Sequence, residues 1–271
     1  LNNPPSPDPK RLAQVRCFLL DMDGTFYLGN SLLPGAHDLI SVLDRRGTDY
    51  LFLTNNSSHN RAFYAQKLRA MGLDIPDERV FTSGEAAALM LADQKPGARI
   101  FLMGTPDLQD EFRQHGFELV EDEPDFVVLG FDTTLTYNRL WRLCDLVRAG
   151  LPYIATHADL NCPIEGGGFM PDAGAMIAFV EASTGRRPDL IVGKPNRPII
   201  EALERKTGQP AGALCMVGDR LYTDVAMGAH GIVTVLVLSG ETKREDLRKS
   251  PHRPDYVMEN LIELAMTLWG L

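Results

Sequence analysis

Short apolar runs alternate along the chain with stretches whose apolar positions recur every three or four residues. VRCFLLD (15–21), DYLFLTN (49–55), RIFLMG (99–104), DFVVLGFD (125–132), PYIAT (152–156), DLIVGK (189–194), ALCMVGD (213–219), IVTVLVLS (232–239) and DYVMEN (255–260) have the length of strands. Most are apolar at consecutive rather than alternate positions, as in a parallel sheet buried on both faces. Residues 35–46, 59–71, 135–149, 173–184 and 196–207 carry helical spacing, and Gly47, Gly72, Gly150, Gly185 and Gly208 stand behind them as stops. The predicted class is α/β, a doubly wound, Rossmann-like parallel sheet with helices on both faces.

Four of these strands end on polar signatures: DMDGT (21–25), TNNSS (54–58), GKP (193–195) and GDRLYTD (218–224). In open α/β sheets ligands bind at the carboxyl ends of the strands, so the four are expected to share one site. Alternation along an extended chain puts residues i and i+2 on one side, so Asp21 and Asp23 lean over the same spot. Two carboxylates in a partly dry pocket cannot both ionise cheaply, and their pKa values split. Asp21 is expected to be the nucleophile, displacing an alcohol from a phosphate ester to give an aspartyl phosphate. Asp23 is expected to protonate the leaving oxygen and then deprotonate the attacking water.

An anionic nucleophile approaching an anionic phosphate needs positive charge and hydrogen-bond donors around it. Gly24 lets backbone amides come close to phosphate oxygens, Thr54 offers a hydroxyl, Asn55 an amide and Lys194 an ammonium. Asp219 and Asp224, with Asp21 sharing the ion, suit a hard cation, and phosphoryl transfer points to Mg²⁺. Taken singly, each motif has an ordinary explanation. DxD is often a solvated turn, Asn56, Ser57 and Ser58 could cap the helix that follows, Lys194 could be a surface lysine, and GDRLYTD a capped turn. The conjunction of all four, each with the residue type that phosphoryl transfer requires, favours a site.

Composition narrows the partners. A formal charge of −9, a pI near 5.2 and no Lys/Arg-rich run argue against nucleic acid. The apolar run IVTVLVL (232–238) is far too short to span a bilayer, so no membrane segment is expected. LNNPPSPDPKR at the start lacks the apolar centre of a secretion signal and reads as a loose tail, which points to the cytoplasm. Cys17, Cys144, Cys162 and Cys215 show no CxxC spacing, so free thiols are expected.

DMDGT, TNN, GKP and GDRLYTD resemble the four motifs of the haloacid dehalogenase-like hydrolases. That resemblance implies a Mg²⁺-dependent phosphatase, because the second aspartate of the first motif, here Asp23, marks the phosphatases of the family. It implies Asp21 as nucleophile, Asp23 as acid/base with its backbone carbonyl on the metal, Thr54 and Lys194 on the phosphate, Asp219 as a direct metal ligand and Asp224 as a second acid reaching the metal through water. The 140-residue separation of Thr54 and Lys194 leaves room for an inserted domain, which the resemblance identifies as the C2-capped arrangement. With FLTNNSS, TSGEAA, ATHADLNCP and DAGAMIAFVEASTGRRP, the chain is similar to the type IIA branch, which includes NagD-like, 4-nitrophenylphosphatase-like, phosphoglycolate and pyridoxal phosphate phosphatases. The expected division is a catalytic core of residues 1–83 plus 187–271 and a cap of residues 84–186. The implied partners are a small phosphorylated metabolite, with p-nitrophenyl phosphate as an artificial substrate, and a second copy of the chain in a homodimer through the cap.

In the cap, His157, Asp159 and Asn161 follow the PYIAT strand, where they form a polar substrate-contacting wall or else satisfy a loop carbonyl and cap a turn. The glycines at 166–168 read as a flexible turn rather than a phosphate cradle. Two other uses of a strand-end aspartate stand beside hydrolysis. A phosphate-accepting signalling domain shares the aspartate, Mg²⁺ and a distant lysine, but has no neighbour like Asp23 and no cap. A phosphomutase or phosphotransferase would hand the same phosphoryl group to a second hydroxyl, and an isomerised sugar phosphate would reveal it.

Overall fold

The structure is a computed structural model that describes residues 9–164 and 167–270, with the side chains of Pro9 and Lys10 left undescribed. Most of the expected N-terminal tail, and Gly166 of the glycine turn, lie outside the described residues. The chain divides into two compact units, one comprising residues up to Leu53, Ala65–Val80 and the chain from Leu203, the other Thr54–Tyr64 and Phe81–Ala202.

In the first unit, parallel strands run side by side in the order Tyr256–Met258, Val233–Val237, Leu214–Gly218, Cys17–Leu20 and Asp49–Thr54, with Val80–Thr82 next at the edge. Every residue of Cys17–Leu20, Leu214–Gly218 and Val233–Val237 is buried, the environment expected from their unbroken apolar character. Leu20 pairs with Phe52 on one side and Val217 on the other, so the chain leaves these strands at matching heights, into Asp21, Leu53 and Gly218. Ala36–Arg46 buries Leu39, Ile40 and Leu43, an amphipathic face, and carries Asp38 in its first turn and Arg45 and Arg46 in its last, as the helix dipole favours. Between Asp21 and that helix, Tyr27–Leu28 and Ser31–Leu32 form a small antiparallel hairpin.

The second unit holds a parallel sheet in the order Leu190–Ile191, Tyr153–Ala155, Phe126–Leu129, Arg99–Met103 and Glu118–Leu119. Tyr137–Arg148 and Ala173–Thr184 pack on it through Leu143, Val147, Ile177 and Val180. The α/β class and parallel sheets are as the apolar pattern predicts, and all five expected glycine stops have positive φ. The helices Ser83–Gln94, Pro106–Gln114 and Leu261–Trp269 and the hairpin Asn161–Pro163/Phe169–Pro171 were not anticipated. Ser83–Gln94 buries every residue from Ser83 to Ala88, so it lacks the polar face that marks a helix in sequence. Of DLIVGK only Leu190–Ile191 is strand. All four cysteines are free, and burial raises the Cys17 thiol to about 12. Among the described residues no helix is long and apolar enough to cross a membrane.

Gly35 precedes Ala36–Arg46 at φ 89°, and a Cβ there would lie 2.3 Å from the backbone nitrogen of Ile262, at the start of Leu261–Trp269. Gly47, at φ 62°, has nothing within 4 Å of that position. Gly47→Ala should therefore cost about 1 kcal/mol, from the left-handed backbone alone. Gly35→Ala should cost about 3 kcal/mol, because a backbone collision is added. Urea unfolding of the two variants checks this, and equal losses would contradict the packing.

Candidate active site

The first unit holds five of the expected residues, Asp21, Asp23, Gly24, Asp219 and Asp224. The Asp21 N–H donates to the Val217 carbonyl at 2.9 Å, extending the pairing of Cys17–Leu20 with Leu214–Gly218 by one step. This brings Asp21 level with the loop that carries Asp219. Met22 is fully buried while Asp21 and Asp23 are half-buried, so the alternation expected of the pair is present. Ligand oxygens of Asp21, Asp219 and Asp224 all lie within 4.8 Å of one another. Three glycines permit the crowding. A Cβ on Gly24 would come 2.6 Å from Asp219 Oδ2, one on Gly240 2.0 Å from the same atom, and one on Gly218 2.3 Å from Asp224 Oδ2. Gly24 thus makes room for the acid cluster, a demand separate from the amide approach for which its residue type was noted.

Thr25, which received no role from the sequence although it completes DMDGT, stands between two of the acids. Its Oγ1 lies 3.2 Å from Asp21 Oδ2 and 3.2 Å from Asp219 Oδ1. The Glu241 N–H donates to Asp219 Oδ2 at 2.6 Å, and the Arg220 N–H to Asp224 Oδ2 at 3.1 Å. Burial, with the Asp21 and Asp224 carboxylates beside it, raises the Asp219 carboxyl to about 7, although the Glu241 N–H and Arg220 pull the other way. Such a cluster of hard oxygen donors, whose mutual repulsion a cation would relieve, fits a divalent metal ion. Asp23 is also raised, chiefly by burial and partly by Asp21, against the Lys67 charge and a hydrogen bond from Tyr27. An acid held above its usual range suits proton transfer.

The second unit assembles the others. Thr54 and Asn55 are buried where Asp49–Thr54 ends, and Thr54 Oγ1 accepts from the Asn56 N–H at 3.1 Å. Asn55 Oδ1 accepts from the Lys194 N–H at 2.8 Å, while its Nδ2 donates to the Lys194 carbonyl at 3.2 Å and to Asp159 Oδ1 at 3.0 Å. The Asn55 side chain therefore grips the backbone of Lys194, a buried residue rather than a surface lysine. Ser83 Oγ donates to the Asn55 carbonyl. Gly193 is required beside this clasp, because a Cβ there would sit 2.7 Å from Asn55 Oδ1.

His157 is fully buried, with Nδ1 3.0 Å from Thr156 Oγ1 and Nε2 2.9 Å from Asp172 Oδ1. Asp172 caps Ala173–Thr184 through the Ala173 N–H, so His157 ties a strand end to a helix start. Asp159 is half-buried against Asn55, whereas Asn161 is exposed at the start of its hairpin. The helix cap expected among Asn56, Ser57 and Ser58 is instead Asn60, whose Oδ1 accepts from the Phe63 N–H at 3.1 Å. Ser57 is turned inward, bonded to Thr156 Oγ1 at 2.9 Å and to the Phe131 N–H at 3.0 Å.

Comparison with known families and proteins agrees with these motifs. Residues 18–118 match a family model described as haloacid dehalogenase-like hydrolase, and 191–264 a second, HAD-like hydrolase model. The chain is 34% identical over 247 residues to a 5'-nucleotidase of Bacillus subtilis, covering 91% of this chain and 96% of that protein. It is likewise 34% identical over 259 residues to an acid sugar phosphatase of Staphylococcus saprophyticus, covering 95% and 99%. The crystal structure of a 4-nitrophenylphosphatase from Thermotoga maritima superposes with a TM-score of 0.91 at 50% identity, covering 94% of this chain and 98% of that one. The chain belongs to the haloacid dehalogenase-like hydrolases. Within them it is a member of the type IIA, NagD-like branch.

The raised Asp219 pKa has a sign that can be checked. A folded carboxyl that protonates near 7 instead of 3.8 makes the metal-free protein more stable as pH falls through that window, and the penalty is full above about 7. A divalent cation offsets the penalty only where the carboxylates are ionised. Saturating Mg²⁺ should therefore raise the melting temperature more at pH 8 than at pH 5, and equal shifts at the two pH values would contradict this account of the cluster.

Proposed function

We propose that the chain is a Mg²⁺-dependent phosphatase of small phosphomonoesters, working through an aspartyl phosphate on Asp21. The observation that supports it most is the meeting of Asp21, Asp219 and Asp224 within 4.8 Å, with Asp23 two residues from the first of them. Asp21 attacks phosphorus, the bond to the ester oxygen breaks, and Asp23 gives that oxygen a proton. In the second half, water attacks the phosphoryl group on Asp21 while Asp23 takes a proton from it, and inorganic phosphate leaves. Thr25 steadies Asp21 Oδ2. Thr54, Asn55 and Lys194 bind the phosphate, with the Asn55 side chain orienting the Lys194 backbone and the Gly24 amide region supplying donors. Asp21, Asp219, Asp224 and the Asp23 backbone carbonyl would hold Mg²⁺, which when bound would supply positive charge to the phosphoryl oxygens.

The core of this reading is residues 1–83 plus 187–271, and the cap is residues 84–186. Substrate choice rests with the cap, where Asp159 and exposed Asn161 are better placed for contact than wholly buried His157. The names of the relatives cover nucleotides, sugar phosphates and nitrophenyl phosphate, which supports a small phosphorylated metabolite as the class. The free cysteines support a cytoplasmic setting. A homodimer through the cap completes the proposal.

Asp21→Asn should lower turnover of p-nitrophenyl phosphate by at least about 10⁴-fold with the fold retained, its metal-free melting temperature no lower than that of the wild type because one of three mutually repelling carboxylates is gone. EDTA should stop the wild-type reaction and Mg²⁺ restore it. Substantial release of inorganic phosphate by Asp21→Asn would remove the nucleophile, and indifference to EDTA would remove the metal. A panel of phosphorylated metabolites identifies the substrate.

A further inference from the structure

Tyr27 is fully buried at the root of the hairpin that follows the first motif. The chain from Met22 to Tyr27 is a tight turn. The N–H groups of Phe26 and Tyr27 donate to the Met22 carbonyl at 2.9 and 3.1 Å, and the Gly24 N–H donates to the Tyr27 carbonyl at 2.9 Å. These bonds fold the phenol back onto the residue four positions earlier, and Tyr27 Oη donates to Asp23 Oδ2 at 3.2 Å. Lys67 Nζ lies 4.0 Å from the ring centroid, so the ring is seated by a cation on its face as well as by the turn. A carboxyl group turns easily about its last torsion, and a donor fixed on one oxygen removes that freedom.

We propose that Tyr27 is the positioning residue for the acid/base aspartate: its hydroxyl occupies Asp23 Oδ2, so the proton delivered to the leaving oxygen, and later taken from water, resides on Oδ1. The proposal rests on the assignment of Asp21 and Asp23 made above. In the first half-reaction an Asp21 oxygen bonds to phosphorus, the ester P–O bond breaks and the Oδ1 proton passes to the departing oxygen. In the second, the water oxygen bonds to phosphorus, the Asp21–phosphate bond breaks and one water proton returns to Oδ1. Tyr27 keeps its own proton throughout and touches no reacting atom.

A buried phenol needs an acceptor wherever it lies, so a purely structural bond must be told apart from a positioning one. The leaving group makes the distinction, because general acid catalysis matters most when the departing oxygen is strongly basic. The test measures kcat/KM of the whole chain with Mg²⁺ on p-nitrophenyl phosphate, phenyl phosphate and an alkyl phosphate. Tyr27→Phe should lose about 10- to 100-fold on the phenyl and alkyl esters and less than about 3-fold on the nitrophenyl ester. Added to Asp23→Asn, it should cause no further loss on any of them. A uniform loss across leaving groups, or losses that multiply in the double variant, would overturn the proposal. If Tyr27→Phe does not fold, Lys67→Arg, which keeps the positive charge near Asp23 but reseats the ring while leaving the hydroxyl, should show the same leaving-group dependence in smaller degree, and a flat response would count against it. Failure of the underlying assignment looks different, since Asp21→Asn would then retain turnover in the same assays.

Discussion

Repulsion among Asp21, Asp219 and Asp224 is the constraint around which the first unit is built. Two unit charges 4 Å apart repel by about 4 kcal/mol at the effective dielectric of a protein interior near its surface, and here three carboxylates lie within 4.8 Å of one another. Their closeness is imposed by the backbone. The pairing of Cys17–Leu20 with Leu214–Gly218 continues through the Asp21 N–H, so one acid cannot retreat from the other without breaking a sheet hydrogen bond. Gly24, Gly218 and Gly240 let main chain lie where side chains would collide with the carboxylates. Thr25 and the Glu241 N–H partly offset the charge, yet burial first, and the Asp21 and Asp224 carboxylates after it, still hold the Asp219 carboxyl up at about 7. A fold that holds anions together in this way is preorganised for a cation, and the cation's charge then becomes available to an anionic substrate.

The second unit positions its polar residues by a different means. Asn55 bonds both the N–H and the carbonyl of Lys194, Ser83 holds the Asn55 carbonyl, and His157 joins Thr156 to Asp172, which caps a helix. The arrangement is a chain of directional hydrogen bonds among buried groups, each satisfied by the next, which fixes orientation because an unmade bond there is expensive. Asn55, conspicuous in sequence only as part of TNN, proves to be the member on which the placement of the Lys194 backbone depends.

The apolar runs and glycine stops made the α/β class and most strands and helices legible, because both signals are local. Where an element's environment departs from the ordinary, the signal fades. Ser83–Gln94 is too buried to show a polar face, and the short edge strand Glu118–Leu119 has too few residues to show any period. The choice of helix cap was also illegible. Asn56, Ser57, Ser58 and Asn60 are all competent N-caps, and which one bonds the free N–H depends on Ser57 being drawn inward by Thr156, 99 residues away in sequence.

By itself the sequence determined the class of fold, the family, and the residue types on which phosphoryl transfer depends, because strand-end aspartates, a glycine-bearing turn and a distant lysine are chemical requirements written locally. Tertiary structure alone decided that Thr25 reaches Asp219 as well as Asp21, that Asn55 serves Lys194, and that His157 is sealed inside. Those outcomes depend on which distant backbone lies alongside a given side chain, and hydrogen-bond partners separated by up to 194 residues leave no trace in the spacing of either one.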